Sequence, residues 1–326
     1  MRNGKITEST LKRSVLKQIG KRRKEVLCGA GVGTDCAVMS FGEDEETVIS
    51  TNPISADIDI IGIHGVHRAL NNVAAAGAEP VGVTLSCLFP ENIEESELRE
   101  MMRQAEETCI SHGVQIIGGH TEVVNVISKP VLTVTGIGKR KKTDKPRKIE
   151  PGQDIVVSKW IGLEGTQMIA SKYRLKLLTK YPERMIEEAE EFARFFSVLP
   201  EAAAALKSGV CGLHDISQGG IFGALWEMAQ GAGVGLEIDL KKLPIRQETV
   251  EICEFFDLNP YELLSGGSLL MTTDDGVGLS EDLKEMGIPA VIVGKTTAGN
   301  DRVLYNEGEK RFLEPPKADQ IYKLNL

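Results

Sequence analysis

Residues 29–38, Gly-Ala-Gly-Val-Gly-Thr-Asp-Cys-Ala-Val, join three alternating glycines to a carboxylate and a short apolar run. Glycines such as Gly31 and Gly33 carry no Cβ, so a loop built from them lets the backbone come close to a phosphate. Asp35 could then hold a divalent ion that bridges phosphate oxygens. Neither common phosphate loop fits. A dinucleotide fingerprint, G-x-G-x-x-G, needs a glycine where this chain has Thr34, and it needs a helix where a strand-like run follows. No G-x-x-x-x-G-K-[S/T] run occurs in the chain. A second glycine pair, Gly219-Gly220, follows Asp215 and opens a helical run. A helix N-terminus favours anions, and a plain tight turn fits the same residues. His64, His67 and Asn71 share one helical face, where they could line a ligand site, ligate a metal or simply pack. Glu164-Gly165-Thr166 opens another helical segment.

These residues must be held by two sets of elements. Leu11, Val15, Leu16 and Ile19 have helical spacing. Residues 35–51 predict two strands around the acidic turn FGEDEE. Residues 60–77 predict a helix stopped at Gly77. Residues 80–89 predict a strand, and Asn92 with Glu95 predicts a capping box for a helix reaching about His112. VQII and VLTVTGIG predict buried strands. The basic run KRKKTDKPRKIEPGQD (139–154) carries two prolines and reads as a solvated inter-domain loop. It places the domains at 1–150 and 151–326. The second half predicts a strand in DIVVSKW, helices to about 208, and a strand-turn-helix-strand run through CGLHDISQGGIFGALWEMAQGAGVGLEIDL. SLLMTT and PAVIVG predict two more strands. The elements follow no strict βαβ period, so the class is α+β.

Composition narrows the function. The 326 residues are 41% hydrophobic and 26% charged, as expected of a soluble globular chain. The formal net charge of −9 argues against nucleic-acid binding. No run approaches about 18 apolar residues, so no membrane span is expected. The basic N-terminal stretch lacks the apolar core of a secretory signal. Six cysteines without a C-x-x-C pair fit unreactive thiols in a reducing cytoplasm.

Five blocks occur in order: GTDCAV (33–38), ISTNPIS (49–55), NNVAAAGAEP (71–80), GGHTEVV (118–124) and HDISQGG (214–220). Together they resemble the aminoimidazole ribonucleotide synthetase-related, or PurM-like, family from about residue 5 to about 295. The stretch from GVGLEIDL to SGGSLL looks most like the branch of the hydrogenase maturation factor HypE. The resemblance implies an N-terminal α/β sheet domain that binds ATP and dimerises through its sheet, and a C-terminal α+β domain. It implies that Gly31, Gly33, Asp35, Asn52, Asn72, Gly118, Gly119, His120 and Thr121 contact nucleotide in the first domain. In the second it implies Asp215, Gly219 and Gly220. Magnesium would fall to Asp35, Glu122 and Asp215. The family places acids where this chain has Asn52, Asn72 and His120, and its kinase-like members place one at Gln218. An amide oxygen brings no charge, so metal binding should weaken.

The implied chemistry is ATP-dependent activation, by phosphoryl transfer to an oxygen, of a small or carbamoyl-like substrate in a cytoplasmic homodimer. No catalytic residue is assigned. The HypE branch carries its substrate on a terminal cysteine. This sequence closes on DQIYKLNL, with its last cysteine at Cys253, so a substrate on the same tail is not expected. Two alternatives stay open: a non-catalytic nucleotide- or metabolite-binding maturation factor with a degenerate metal site, and a small-molecule kinase like thiamine-monophosphate kinase.

Overall fold

The computed structural model describes residues 4–5, 8–31, 38–56, 58–315 and 317–324. They form two compact units, Met1–Val73 with Ala78–Thr143, and Ala74–Gly77 with Asp144–Leu326. Among the described residues, no helix is long and apolar enough to cross a membrane.

The first unit runs β1 (Gly4–Lys5), α1 (Glu8–Thr10), β2 (Val26–Cys28), β3 (Val38–Met39), β4 (Glu45–Ser55), α2 (Ile61–Ala75), β5 (Glu79–Phe89), α3 (Glu95–Ser111), β6 (Gln115–Val123) and β7 (Val131–Lys141). Its main sheet has the order β1-β6-β5-β7-β4, with β5 and β6 parallel and the other pairs antiparallel. Helices α2 and α3 cover one face. A Cβ on Gly136 would meet the Ala69 carbonyl, and one on Gly138 would meet Val73 and the Glu79 carbonyl, so β7 is smooth where α2 crosses it. Val66, Leu70, Val73, Val83, Leu85, Leu98 and Met102 fill the interior. Side chains alternate along each strand, so the other face carries Ile49, Thr51, Thr84, Ser86, Thr133 and Thr135. Ile49 is 63% exposed, and the Thr51 and Thr135 hydroxyls lie 3.0 Å apart.

Two sequence expectations change here. The capping box of α3 is Glu94 with Glu97, where the Glu94 N–H donates to Glu97 Oε2 at 2.8 Å, in place of Asn92 with Glu95. Glu95 is taken by Arg13 and by the Ser14 hydroxyl at 2.6 Å, partners more than eighty residues away. Residues 139–141 of the basic run belong to β7, because their charges have partners across the sheet: Lys139 meets Glu25 at 2.9 Å and Arg140 meets Glu46 at 3.1 Å.

Glu25 gives this unit an acid-sensitive point. The Arg23 guanidinium, then Lys139, hold its carboxyl at about 2, down from 4.5. A depressed carboxyl stabilises the fold above its unfolded pKa, and that stability is lost as the pH falls. The first unit should therefore weaken between about pH 4.5 and pH 2. Melting temperatures of wild type and Glu25→Gln, followed across this window, should converge as the pH drops; parallel curves would refute the assignment.

The second unit runs β8 (Asp154–Ser158), α4 (Leu163–Lys172), α5 (Arg174–Leu177), α6 (Glu183–Glu190), α7 (Leu199–Lys207), β9 (Gly212–Ile216), α8 (Gly220–Ala232), β10 (Gly235–Asp239), α9 (Gln247–Phe255), β11 (Ser268–Thr273), α10 (Gly276–Glu285), β12 (Ala290–Thr297), β13 (Arg302–Asn306) and β14 (Glu309–Phe312). The sheet order is β14-β13-β10-β12-β8-β11-β9, with only β10 and β13 parallel. Both faces are covered. Ile155, Val157 and Leu270 pack with Ile221 and Leu225, while Val156, Leu269 and Met271 pack with Ala202, Leu279 and Leu283. Burial on both sides is why DIVVS and SLLMTT lack the polar alternation of a half-exposed strand. After β14 the chain returns to α8, and Gln320–Lys323 form a tight turn that Asp319 caps.

Candidate functional site

The expected residues of the first unit fall on both faces of its sheet. Ser50 and Asn52 of β4 point toward the helices and meet Asn72 of α2. Asn72 Nδ2 donates to Ser50 Oγ and to Asn52 Oδ1, both at 3.1 Å, and Asn52 Nδ2 donates to Ser50 Oγ at 3.1 Å. The structure therefore brings Asn52 and Asn72 together as a neutral, mutually bonded set. The GGHTE block is divided by strand alternation. Thr121 is buried beside Cys87, whereas His120 and Glu122 lie on the open face with the imidazole Nε2 3.2 Å from Glu122 Oε2. Glu122 and the asparagine pair thus face opposite sides of the sheet, and one ion cannot be held by both within this unit. At Gly119 a Cβ would run into the Leu85 carbonyl, so the block crosses β5 as bare backbone. Gly31 is described, while Gly33 and Asp35 lie outside the described residues.

His64 and Asn71 are buried along α2, and the His67 ring stands edge-on to that of His112, just past the end of α3, at 5.2 Å. Among the described residues, no group of three or more His, Cys, Asp or Glu side chains is placed to hold a metal. Cys87 and Cys253 are pushed up to about 12 by burial, which keeps both thiols unreactive.

In the second unit Asp215 sits on β9, 6% exposed, opposite Leu269 of β11. Its charge acts on Lys159, which sequence reasoning missed. Lys159 follows β8 with a left-handed φ of 54°. Its Nζ lies 2.5 Å from Glu201 Oε1 and donates to the carbonyls of Phe195 at 2.8 Å and Ser197 at 2.6 Å. Burial pushes the ammonium below its ordinary value, while Glu201 and Asp215 work against that. No local pattern in DIVVSKW marks this lysine, since its acid comes from α7.

The start of α8 and the loop before β11 together hold a carboxylate. Gly219 caps the helix and Gly220 opens it, with left-handed φ of 81° and 62°. The Asp319 carboxylate is seated there. Oδ2 accepts from Gly219 N–H at 2.7 Å, and Oδ1 accepts from Leu264 N–H at 3.2 Å and Ile321 N–H at 2.8 Å. Gln218, at the position of an expected acid, donates to the Tyr322 hydroxyl at 2.9 Å. Beside this turn lies a cavity of about 330 Å³, lined by Gly219, Phe222 and Gly223 and by Asn259, Glu262 and Arg311. A carboxylate already held by these amides indicates that the turn suits a phosphate oxygen. The neutral asparagine pair suits magnesium less, since that ion is usually held by carboxylates and substrate phosphates.

The chain matches the family model described as AIR synthase related protein, N-terminal domain, over residues 33–139, and that of the C-terminal domain over residues 150–306. It is an AIR synthase-related protein. This AIR synthase-related chain is 26% identical to the putative hydrogenase expression/formation protein MJ0676 of Methanocaldococcus jannaschii, covering 98% of this chain and 96% of that protein. It is 25% identical to carbamoyl dehydratase HypE of Rhodobacter capsulatus, covering 95% and 92%. A crystal structure of hydrogenase maturation protein HypE in complex with ATP superposes with a TM-score of 0.77 at 20% identity, covering 96% of this chain and 95% of that one. At that identity the superposition establishes the two-domain PurM-like fold. The AIR synthase-related chain is thus HypE-like in sequence and architecture.

Proposed function

We propose that this protein binds ATP and uses it to activate an oxygen atom of a small or carbamoyl-like substrate. The observation that carries this reading is the pair of amides, Gly219 at the cap of α8 and Leu264 before β11, that already hold the two oxygens of a carboxylate. The relatives named carbamoyl dehydratase and the fold's appearance in a HypE–ATP complex support the same reading. For a carboxamide, the γ-phosphoryl group would bond to the carbonyl oxygen as ADP leaves; loss of that phosphate and of both N–H protons would then yield a nitrile. In this reading the backbone amide of Gly219 orients a phosphate oxygen in the second unit, and Gly220, whose own N–H donates to the Ser217 carbonyl at 3.1 Å, lets the ligand approach without a Cβ. In the first unit Gly31, Gly33, Gly118, Gly119, Asn52 and Asn72 contact the nucleotide. Asp35 in the first unit and Asp215 in the second each remain a proposed magnesium ligand, where an ion would neutralise phosphate charge.

Calorimetric titration with a non-hydrolysable ATP analogue, with and without magnesium, tests the proposal. Binding is expected, and it should be stronger with the ion. Absence of binding in both conditions would overturn the reading. ATP turnover in a substrate screen should fall when Asp35 or Asp215 is replaced by Ala; indifference to both would remove the catalytic part.

The Asn52–Asn72 pair favours a second reading, a nucleotide-binding maturation factor without turnover. The double variant Asn52→Asp/Asn72→Asp should make analogue binding more dependent on magnesium, by about tenfold or more when two carboxylates can reach the ion. Unchanged dependence would remove these positions from the ion's surroundings.

The open face of the first unit's sheet is the proposed dimer surface. Ile49 at 63% exposure sits in a row of threonines and serines that another copy could cover. Ile49→Asp should shift the sedimentation equilibrium toward monomer, since a charge is costly to bury without a partner.

A further inference from the structure

Resting on the ATP reading, we propose that residues 319–323 form an autoinhibitory strap over the second unit's candidate site. In it the Asp319 carboxylate occupies the anion position at the start of α8. The segment is fastened residue by residue. Asp319 accepts from two backbone amides outside the strap, those of Gly219 and Leu264, and from Ile321 N–H within it. Gln320 Nε2 donates to Glu262 Oε2 at 2.8 Å, and its Oε1 accepts from Asn259 N–H at 3.3 Å. Ile321 is buried, and the Tyr322 hydroxyl accepts from Gln218 Nε2. The strap therefore covers Gln218 and Gly219 together with the 259–264 turn.

Its hold is built to be released. Asp319 is 4% exposed, and burial raises its pKa in spite of the three N–H donors; the charge of Glu164 adds to the rise. The ionised carboxylate is thus held at a cost that water would relieve. A phosphate group carries more charge and more acceptor oxygens than a carboxylate, so it competes well for the same amides. Tyr322, toward the far end of the strap, is 65% exposed. The cavity of about 330 Å³ is lined by Arg311 of β14, by Leu313 and Lys317 of the strap's lead-in and by the first turn of α8. Its Arg311 guanidinium lies 5.7 Å from the centre of the Phe222 ring and adds a cation to a lining that also holds Lys317, Glu262 and Glu314. Departure of the strap would open this cavity onto the freed amides.

The test compares wild type with Asp319→Ala, Asp319→Asn and Tyr322→Ala, each first checked for folding by tryptophan-fluorescence melting. If the strap is closed about nine-tenths of the time, its loss should tighten binding of the non-hydrolysable ATP analogue about tenfold in Asp319→Ala. Smaller gains are expected in the other two variants. In wild type the amides of 319–323 should exchange hydrogen faster when the analogue is bound. Equal affinities with unchanged exchange would overturn the strap and leave the ATP reading standing. If no variant binds the analogue, the ATP reading fails and inorganic tripolyphosphate decides the strap. Binding to Asp319→Ala but not to wild type upholds it, and binding to neither overturns it. Should Asp319→Ala not fold, Tyr322→Ala carries both readouts, since its side chain is largely in solvent.

Discussion

Replacing Glu201 with Ala should destabilise the second unit by about 3–5 kcal/mol. Lys159 and Glu201 are 6% and 1% exposed and 2.5 Å apart, so neither charge has water to fall back on. Removing the carboxylate leaves a buried ammonium with two carbonyl partners and the more distant Asp215. Burial already pulls that ammonium's pKa down, and the variant removes the Glu201 charge that opposes the shift, so Lys159 should lose its proton at lower pH than in wild type. Glu201→Gln should cost less, because an acceptor oxygen remains. Exchanging both partners, Lys159→Met with Glu201→Leu, should recover most of the loss, as apolar pairs of similar volume often do. The chain's two tryptophans, Trp160 and Trp226, both lie in the second unit, so urea melts read by tryptophan emission report that unit. A loss under about 1 kcal/mol for Glu201→Ala would refute the buried pair.

Gly220→Ala should rank next. The residue has φ of 62°, where an L side chain costs roughly 1–2 kcal/mol. Its Cβ would also stand 2.5 Å from the Tyr261 carbonyl oxygen and 2.8 Å from that of Leu263, and overpacking of this kind costs typically 1–3 kcal/mol. Together these predict about 2–5 kcal/mol, or a melting temperature lower by on the order of 10 °C. The same distortion should weaken analogue binding, because the first amides of α8 move with it. Gly231 in the same helix gives the control. A Cβ there meets nothing within 4 Å, so Gly231→Ala should stabilise by roughly 0.5–1 kcal/mol. Equal effects at the two glycines would show that helix propensity, and not the turn, sets the cost.

The long, strongly patterned elements could be read from the sequence. Helix α2 shows its apolar spacing and the stop at Gly77, whose φ is 76°. The five motif blocks gave the family and the two-domain fold. Features set by distant partners were not legible. The α3 cap moved to Glu94 because Arg13 and Ser14 claim Glu95, and the basic run entered β7 because Glu25 and Glu46 neutralise it. Lys159 gained meaning only when α7 supplied Glu201. The separation of Thr121 from His120 and Glu122 could have been found from the two-residue period of a strand. The β13–β14 hairpin also carried a signal, because Glu307-Gly308 stands between strand-like runs and both residues have positive φ, 51° and 88°. The Asp319 contact had none, since residues 219 and 319 are a hundred positions apart.

The neutral set of Ser50, Asn52 and Asn72 has a consequence for how the chain reaches its native state. Two facing carboxylates would need a counter-ion before β4 and α2 could close on each other, which would tie the folded fraction to ion supply. Groups that answer one another's hydrogen bonds remove that tie. Closure of β4 on α2 then needs no ion, so a chelator should leave the packing of these two elements unchanged.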